Sequence, residues 1–282
     1  MATPTSPNND NFDYWNNEGG ERWVRYIDRL ERIAGAFSPQ LLAGADVKAG
    51  EHVLDIGCGG GPTSAALAKA AGETGSVLGA DISAVILEVA GQRYANLSNL
   101  EFAAVDAMTH AFQPAHFDVI TSRFGVMFFP DPVAAFKNIR RALKSTARLC
   151  IVCWCAADEN PWIVAPAAAA FSILPAPEKS PPGAPGPFSL SDQTHAHEML
   201  TAANFSNVSF EKIEQTVNMG SIEEALETLC NMGPAASALT EASPADRERA
   251  LGAMREVLLD NETAEGVILA GAAWLVRADA GG

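Results

Sequence analysis

At 282 residues, 48% of them apolar, the chain is long enough for one large domain or a domain with an attached cap, and it can fill a substantial core. Nineteen basic residues against thirty-four acidic ones leave a net charge of −15, so the surface repels phosphate backbones and no nucleic-acid partner is expected. The opening stretch "MATPTSPNNDNFDYW" lacks the basic and apolar regions of an export signal, and the longest apolar runs are too short or too proline-broken to span a bilayer, so a cytoplasmic location is expected.

In chain order, residues 12–47 read as helices, with apolar residues at helical spacing through "RWVRYIDRLERIAGAF". From residue 51 to 154 short β-branched runs alternate with helical ones. Strands are predicted at 52–57, 76–81, 100–106, 117–122 and 148–154, and helices at 62–72, 84–96 and 132–144. This alternation predicts an α/β fold, a Rossmann-like doubly wound sheet whose right-handed crossovers bury both faces. Residues 160–187 are too proline-rich for regular structure apart from one alanine-rich helix over 167–174. A helix at 192–205, a strand at 208–217, helices at 221–232 and 244–260 and a final apolar strand at 266–278 complete the chain. Of the five cysteines, Cys150, Cys153 and Cys155 sit in the strand-like run "LCIVCWC" and read as reduced core thiols, with a soft-metal or arsenic site as the alternative.

The chemistry concentrates in "HVLDIGCGGGPTSAALAKAAG", 52–72, where a strand turns into a helix at the carboxyl edge of the sheet, the usual ligand position in such folds. A dinucleotide turn needs G-x-G-x-x-G, but counting from Gly57 the third position is Pro62; a phosphate loop needs Gly-Lys-Ser/Thr, and no lysine occurs before Lys69. The spacing present is G-x-G-x-G over Gly57, Gly59 and Gly61, with Asp55 two residues earlier. Followed by "LGADIS", "VDAM" and "FDVITSRFGVMFF", it resembles the class I S-adenosylmethionine-dependent methyltransferases, in the small-molecule branch similar to ubiquinone/menaquinone and natural-product methyltransferases. The resemblance covers residues 51–154.

That resemblance implies a seven-stranded sheet with its last strand antiparallel, and S-adenosylmethionine as cofactor. It also implies a set of cofactor-binding positions. Gly57, Gly59 and Gly61 would let the methionine part pass close to backbone, with Asp55 ordering the turn. Asp81 would take the ribose hydroxyls and Ile82 one adenine face; Asp106 and Ala107 would meet the adenine edge. Ser122 and Arg123 would lie where the methyl group points. Where the family turns through Pro-Gly-Gly before the fifth strand, this chain has "KSTARL", 144–149, so a differently built turn is expected there.

For catalysis the candidates are weak: His195, His197 and Arg123, with a solvated loop role the competing reading for the histidines. "SRFG" replaces the Asn/Asp-Pro-Pro-aromatic run of nucleic-acid amino methyltransferases. Apolar residues near the presumed mouth (124–129, Trp162, Phe171, Phe188, Met219) suggest a small apolar or aromatic methyl acceptor, with core packing as the alternative. Tyr14 and Trp15 could close on the cofactor. No metal-ligand cluster is visible and a homodimer is left open. The expected organisation is a helical lid over 1–47, a cofactor core over 48–157, a proline-rich insertion over 158–190, a core helix and strand over 191–217, a helical cap over 218–261, and a last strand with tail over 262–282. Two other functions stay open: an NAD(P)-dependent oxidoreductase, and a cofactor-binding homologue that does not methylate.

Overall fold

Short β-branched runs separated by amphipathic segments wind around one mixed sheet in the computed structural model, which describes residues 8–178, 181 and 183–281. The remaining positions of the N-terminal, proline-rich and C-terminal segments lie outside the described residues. Four short helices come first: α1 (Asn9–Asn16), α2 (Glu18–Arg25), α3 (Ile27–Gly35) and α4 (Ser38–Ala45). The wound core follows as β1 (His52–Ile56), α5 (Pro62–Ala71), β2 (Ser76–Asp81), α6 (Ala84–Arg93), β3 (Leu100–Ala104), β4 (Phe117–Arg123), α7 (Pro132–Ala142) and β5 (Leu143–Trp154). Then come α8 (Pro161–Phe171), α9 (Gln193–Ala202), β6 (Ser206–Asn218), α10 (Ile222–Met232), α11 (Ala236–Glu241), α12 (Pro244–Leu259), β7 (Glu262–Thr263) and β8 (Gly266–Asp279).

The strand order is β3-β2-β1-β4-β5-β8-β6. The first five strands run parallel, and β8 inserts antiparallel between β5 and β6, as expected of the last strand. The two-residue β7 is an addition that pairs only with the start of β8. Crossover helices begin where the sequence supplies caps: Ser83 Oγ accepts the Ile86 N–H, Asp131 accepts the Ala134 N–H, and Ser221 with Glu224 forms a capping box.

Two elements depart from the sequence expectation. Residues 144–149 do not form a turn: α7 passes directly into β5, and the pairing with β4 jumps from Phe117↔Leu143 to Val119↔Arg148. The extra residues are pinned by charge, because Lys144 reaches both carboxylate oxygens of Asp118 at 2.7 and 2.8 Å while Arg148 binds Glu51 at 2.8 Å through two nitrogens. The helix expected at 167–174 begins at Pro161, where a proline loses nothing by lacking an N–H. Its start is anchored by the fully buried Asn160, which donates to the carbonyls of Ala156 and Ala272 and accepts the Ala272 N–H, all at 3.1 Å.

α12 packs on α8, and α10 packs on both and on α2, so the helices between β6 and β8 meet the proline-rich segment and the N-terminal helices over one end of the sheet. The five cysteines carry free thiols. Burial pushes Cys150 and Cys155 up to about 12 and Cys153 higher still, which keeps them protonated core residues. Among the described residues no helix is long and apolar enough to cross a membrane.

Candidate active site

Where β1, β2 and β4 end, the chain encloses a cavity of about 420 Å³. Its floor is the glycine turn after β1. Gly57 (φ 64°) lies so close to the turn after β4 that a Cβ on it would stand 2.6 Å from the Cα of Gly125; the two backbones pack directly. Gly61 (φ 83°) serves packing rather than lining, since a Cβ there would stand 2.7 Å from the Phe102 ring. Gly59 lines the cavity with nothing within 4 Å of where its side chain would be.

Two carboxylates set this turn. Asp55, 1% exposed, accepts the Ser64 hydroxyl at 2.6 Å and the Thr121 hydroxyl at 2.9 Å, tying β1 to α5 and β4. Burial raises its carboxyl to about 6, although both hydroxyls favour the anion. Asp81 accepts the backbone N–H of Gly59 on one oxygen and that of Ser83 on the other, each at 2.9 Å, and burial likewise raises it. Each oxygen keeps a lone pair for a further donor.

Ile82, Asp106 and Ala107 line the same cavity. Asp106 accepts the Met108 N–H at 2.9 Å and the Thr109 hydroxyl at 3.2 Å, which turns the chain after β3. Arg123, also lining, donates to Ser38 Oγ at 2.7 Å and pairs with Glu31 of α3. Ser122 lies outside the lining: it is fully buried, and its hydroxyl accepts the Gly125 N–H at 3.2 Å. His195 and His197 are exposed on α9, away from the cavity, with no contact to the glycine turn.

The other end of the cavity is apolar and aromatic. Phe124, held at φ 63°, stacks on Trp154 with ring centroids 3.8 Å apart, and Trp162, Met127, Phe128 and Phe129 extend that wall. A positive φ at a bulky residue is strained, and here it is overridden by the stack and by the Phe124 N–H bond to the Val152 carbonyl at 2.9 Å. Phe171, Phe188 and Met219 take no part and pack in the core. Tyr14 and Trp15 line the cavity, and α1 is fastened across it. Asn16 donates to the Ile82 carbonyl and accepts the Ala84 N–H, both at 2.9 Å; the Ser83 hydroxyl donates to the Trp15 carbonyl at 2.6 Å; Asn11 donates to the Phe128 carbonyl at 2.9 Å.

Two buried donors in the lining lack a partner: the Trp23 indole N–H and the Thr63 hydroxyl. An orphaned buried donor costs about 1–3 kcal/mol, and such groups in a cavity wall suit a ligand. Trp23, Asn11, Asn16, Glu31 and Thr63 were not singled out by sequence reasoning. Only Glu31 left a signal, as a carboxylate set among the apolar residues Leu30, Ile33 and Ala34 of one helix.

Among solved structures, the chain is similar to phosphoethanolamine N-methyltransferase 2 of Haemonchus contortus (TM-score 0.58, 19% identical, 100% of this chain and 62% of that one). It is also similar to the [4+2]-cyclase SpnF (TM-score 0.55, 19% identical, 93% and 96%). At these identities the likeness is one of fold. The demethylmenaquinone methyltransferase of Staphylococcus carnosus is 37% identical over 122 residues, 42% of this chain and 51% of the relative. The chain thus spans about half the length of the curated relatives it matches. A family model described as a methyltransferase domain matches residues 47–204, more than half of the chain, which therefore belongs to the S-adenosylmethionine-dependent methyltransferase family.

Proposed function

We propose that the protein moves a methyl group from S-adenosylmethionine to a small apolar or aromatic acceptor that carries an oxygen. The observation that carries this is the continuity of one cavity from the glycine turn and Asp81 to the aromatic wall of Phe124, Trp154 and Trp162. The residues fit the cofactor. The left-handed Gly59 leaves backbone open to the methionine part, Asp81 has lone pairs for the two ribose hydroxyls, Ile82 offers an adenine face, and Asp106 with Ala107 meets the adenine edge. When bound, the cofactor would supply an electrophilic methyl on a sulfonium, which the acceptor's electron pair takes in line while the carbon–sulfur bond breaks and S-adenosylhomocysteine leaves as a neutral thioether.

The chain's own part is mainly position and exclusion of water, since holding two reactants about 3–3.5 Å apart in line supplies much of such a rate. His195 and His197 are exposed outside the cavity and Glu31 is committed to Arg123, so these residues favour an acceptor that needs placing rather than deprotonation by a side chain. The Trp23 indole can only donate, so an acceptor oxygen satisfies it and a bare hydrocarbon does not. The similarity to proteins named demethylmenaquinone methyltransferases supports a ring acceptor of this kind.

The test is calorimetric titration with S-adenosylhomocysteine and, in parallel, NADH, followed by labelled-methyl transfer to a panel of quinols and phenols. Micromolar binding of the first alone, with label on an oxygen-bearing aromatic, is the expected result. NADH binding alone would favour an oxidoreductase; cofactor binding without transfer to any acceptor would favour a non-methylating homologue.

A further inference from the structure

The sheet ends on two edges of unequal length, β3 with 5 residues and β6 with 13. β6 pairs on one side only, with β8, and the ladder dictates which of its backbone groups face outward. In an antiparallel pair successive residues aim N–H and C=O alternately at the neighbour and away from it. The Cys155 N–H bonds the Ala272 carbonyl, so Ala272 faces β5 and the next residue, Ala273, faces its β6 partner Ile213; the Met219 N–H bond to the Val267 carbonyl keeps the same phase. Ile213, Gln215 and Val217 therefore bond β8, while Phe210, Lys212, Glu214 and Thr216 turn their backbone groups to the open edge. Among the described residues no other stretch of backbone bonds these four.

Open edges invite another strand, and natural ones are commonly blunted by proline, by a bulge or by lysines. β6 has no proline, its one irregularity lies before Ser209, and its one lysine, Lys212, is matched two residues on by Glu214. Lys212, Glu214 and Thr216 are exposed. Within the chain Lys212 pairs with Glu159 and stands 3.4 Å from Glu214, whose side chain is still 77% exposed.

That charge pattern is complementary to itself. With a second β6 laid antiparallel and a two-fold axis at Ile213, Lys212 stands opposite Glu214 of the partner subunit, and Glu214 opposite the partner's Lys212. Phe210 then meets the partner's Thr216, so the facing residues are the outward-bonding ones, as the ladder requires. Sliding the strands by two residues sets Lys212 against the partner's Lys212, or Glu214 against the partner's Glu214, and like charges directly opposite destabilise. Sliding by one sets outward backbone groups against inward ones and forfeits the hydrogen bonds. One register satisfies both backbone and charge.

We infer that β6 is a self-pairing edge through which two copies of this chain join into a dimer with one continuous sheet. No β6 residue lines the cavity, so the inference stands apart from the function proposed.

The experiment is sedimentation velocity on the full chain from about 1 to 200 µM, in about 0.15 M salt to screen the net charge of −15. An edge of about nine residues a side makes a small interface, so the wild type should pass from the 29.7 kDa monomer to the dimer within that range. Lys212→Glu sets glutamates against glutamates across the axis, and Glu214→Lys sets lysines against lysines. Each variant alone should associate at least about tenfold more weakly. Mixed in equal amounts, the two variants face each other with opposite charges at both positions and should form a heterodimer as readily as the wild type. Losing the contact of Lys212 with Glu159 inside one chain cannot produce that rescue. Thr216→Pro removes an outward N–H that the single chain does not use, so it should keep the wild-type circular dichroism and weaken the dimer. A wild type that stays monomeric to about 200 µM, single variants that dimerise like the wild type, or a mixture no tighter than its components would each overturn the inference.

Discussion

Asp81 links two jobs in one carboxylate: it fastens the glycine turn through the Gly59 amide, and under the proposed function it presents the same oxygens to the ribose. Asp81→Ala should weaken S-adenosylhomocysteine binding by about 2–3 kcal/mol, the scale of two charge-assisted hydrogen bonds, and should speed hydrogen exchange at the Gly59 amide. Slowed or unchanged exchange would mean the turn is held by its glycine contacts alone. Trp23 makes a separate prediction, which follows from the acceptor contact proposed for its indole. Trp23→Phe keeps an aromatic ring but removes the orphaned donor, so it should raise KM for an oxygen-bearing aromatic about 10-fold and leave S-adenosylhomocysteine affinity within twofold. Equal effects on both would place Trp23 against the cofactor. Asp55 and the glycines were legible because their spacing is local to one strand–turn–helix unit, and Asp81 because it closes the next strand, where the family resemblance implies a carboxylate. Glu31 and Trp23 were not, because they reach the cavity from helices packed across the turn; the apolar neighbours of Glu31 mark it as a half-buried carboxylate but do not encode what it approaches, and nothing around Trp23 does.

Helix α1 shows what an element can add that no single residue reveals. It is bound at one end to the β2–α6 turn through Asn16 and Trp15, and at the other to Phe128 through Asn11, so it bridges the carboxylate and aromatic halves of the cavity. Asn16→Ala removes two hydrogen bonds between elements, about 1–3 kcal/mol together. It should therefore speed S-adenosylhomocysteine release about 5–20-fold, followed by stopped-flow tryptophan fluorescence, with little change in association rate. An unchanged release rate would mean α1 does not cover the ligand. Elements read well from the sequence wherever apolar period and cap agree, as at Ser83 or Ser221. They read poorly where a side chain from elsewhere decides the outcome. β5 runs on through 144–149 because Asp118 and Glu51 anchor Lys144 and Arg148, and α8 starts early because Asn160 is locked onto β8. Those partners lie 26 to 112 residues away in sequence, beyond the reach of local pattern.

At the scale of the molecule, two titrating groups on opposite ends of the sheet pull stability in opposite directions with pH. Asp55, beneath the cavity, has its carboxyl raised from 3.8 to about 6 by burial. A raised carboxyl contributes stability that is complete below 3.8 and lost as pH rises through about 6, up to about 3 kcal/mol for a group this buried. His116 stands at the far edge, stacked on His52 with ring centroids 4.8 Å apart. Burial first, then the charges of His52 and Lys144, hold it below 6.5 against the pull of Asp118. A lowered histidine contributes stability that is present above 6.5 and lost as pH falls through its folded value. Below that again, Asp118 and Glu51 add a second acid loss: burial pushes up on Asp118, but the His52 amide and Lys144 keep it low, and Arg148 does the same for Glu51. Between about pH 4 and 6.5 the two losses run in opposite directions and offset each other, so the melting temperature should change little there and fall at more acid pH as Asp118 and Glu51 take up protons. Asp55→Asn should abolish the loss that comes with rising pH, so its melting temperature relative to the wild type climbs from about pH 4 to 6 and levels off above that. His116→Phe, which keeps a ring on His52, should abolish the loss that His116 causes below pH 6.5, so that the melting temperature rises as pH falls from there to about 4, and should leave S-adenosylhomocysteine affinity unchanged, because that ring lies outside the cavity. Thermal melts of the three proteins across this range decide the matter: variant profiles parallel to the wild type would show that neither group governs the pH dependence, which would then rest on the surface ion pairs.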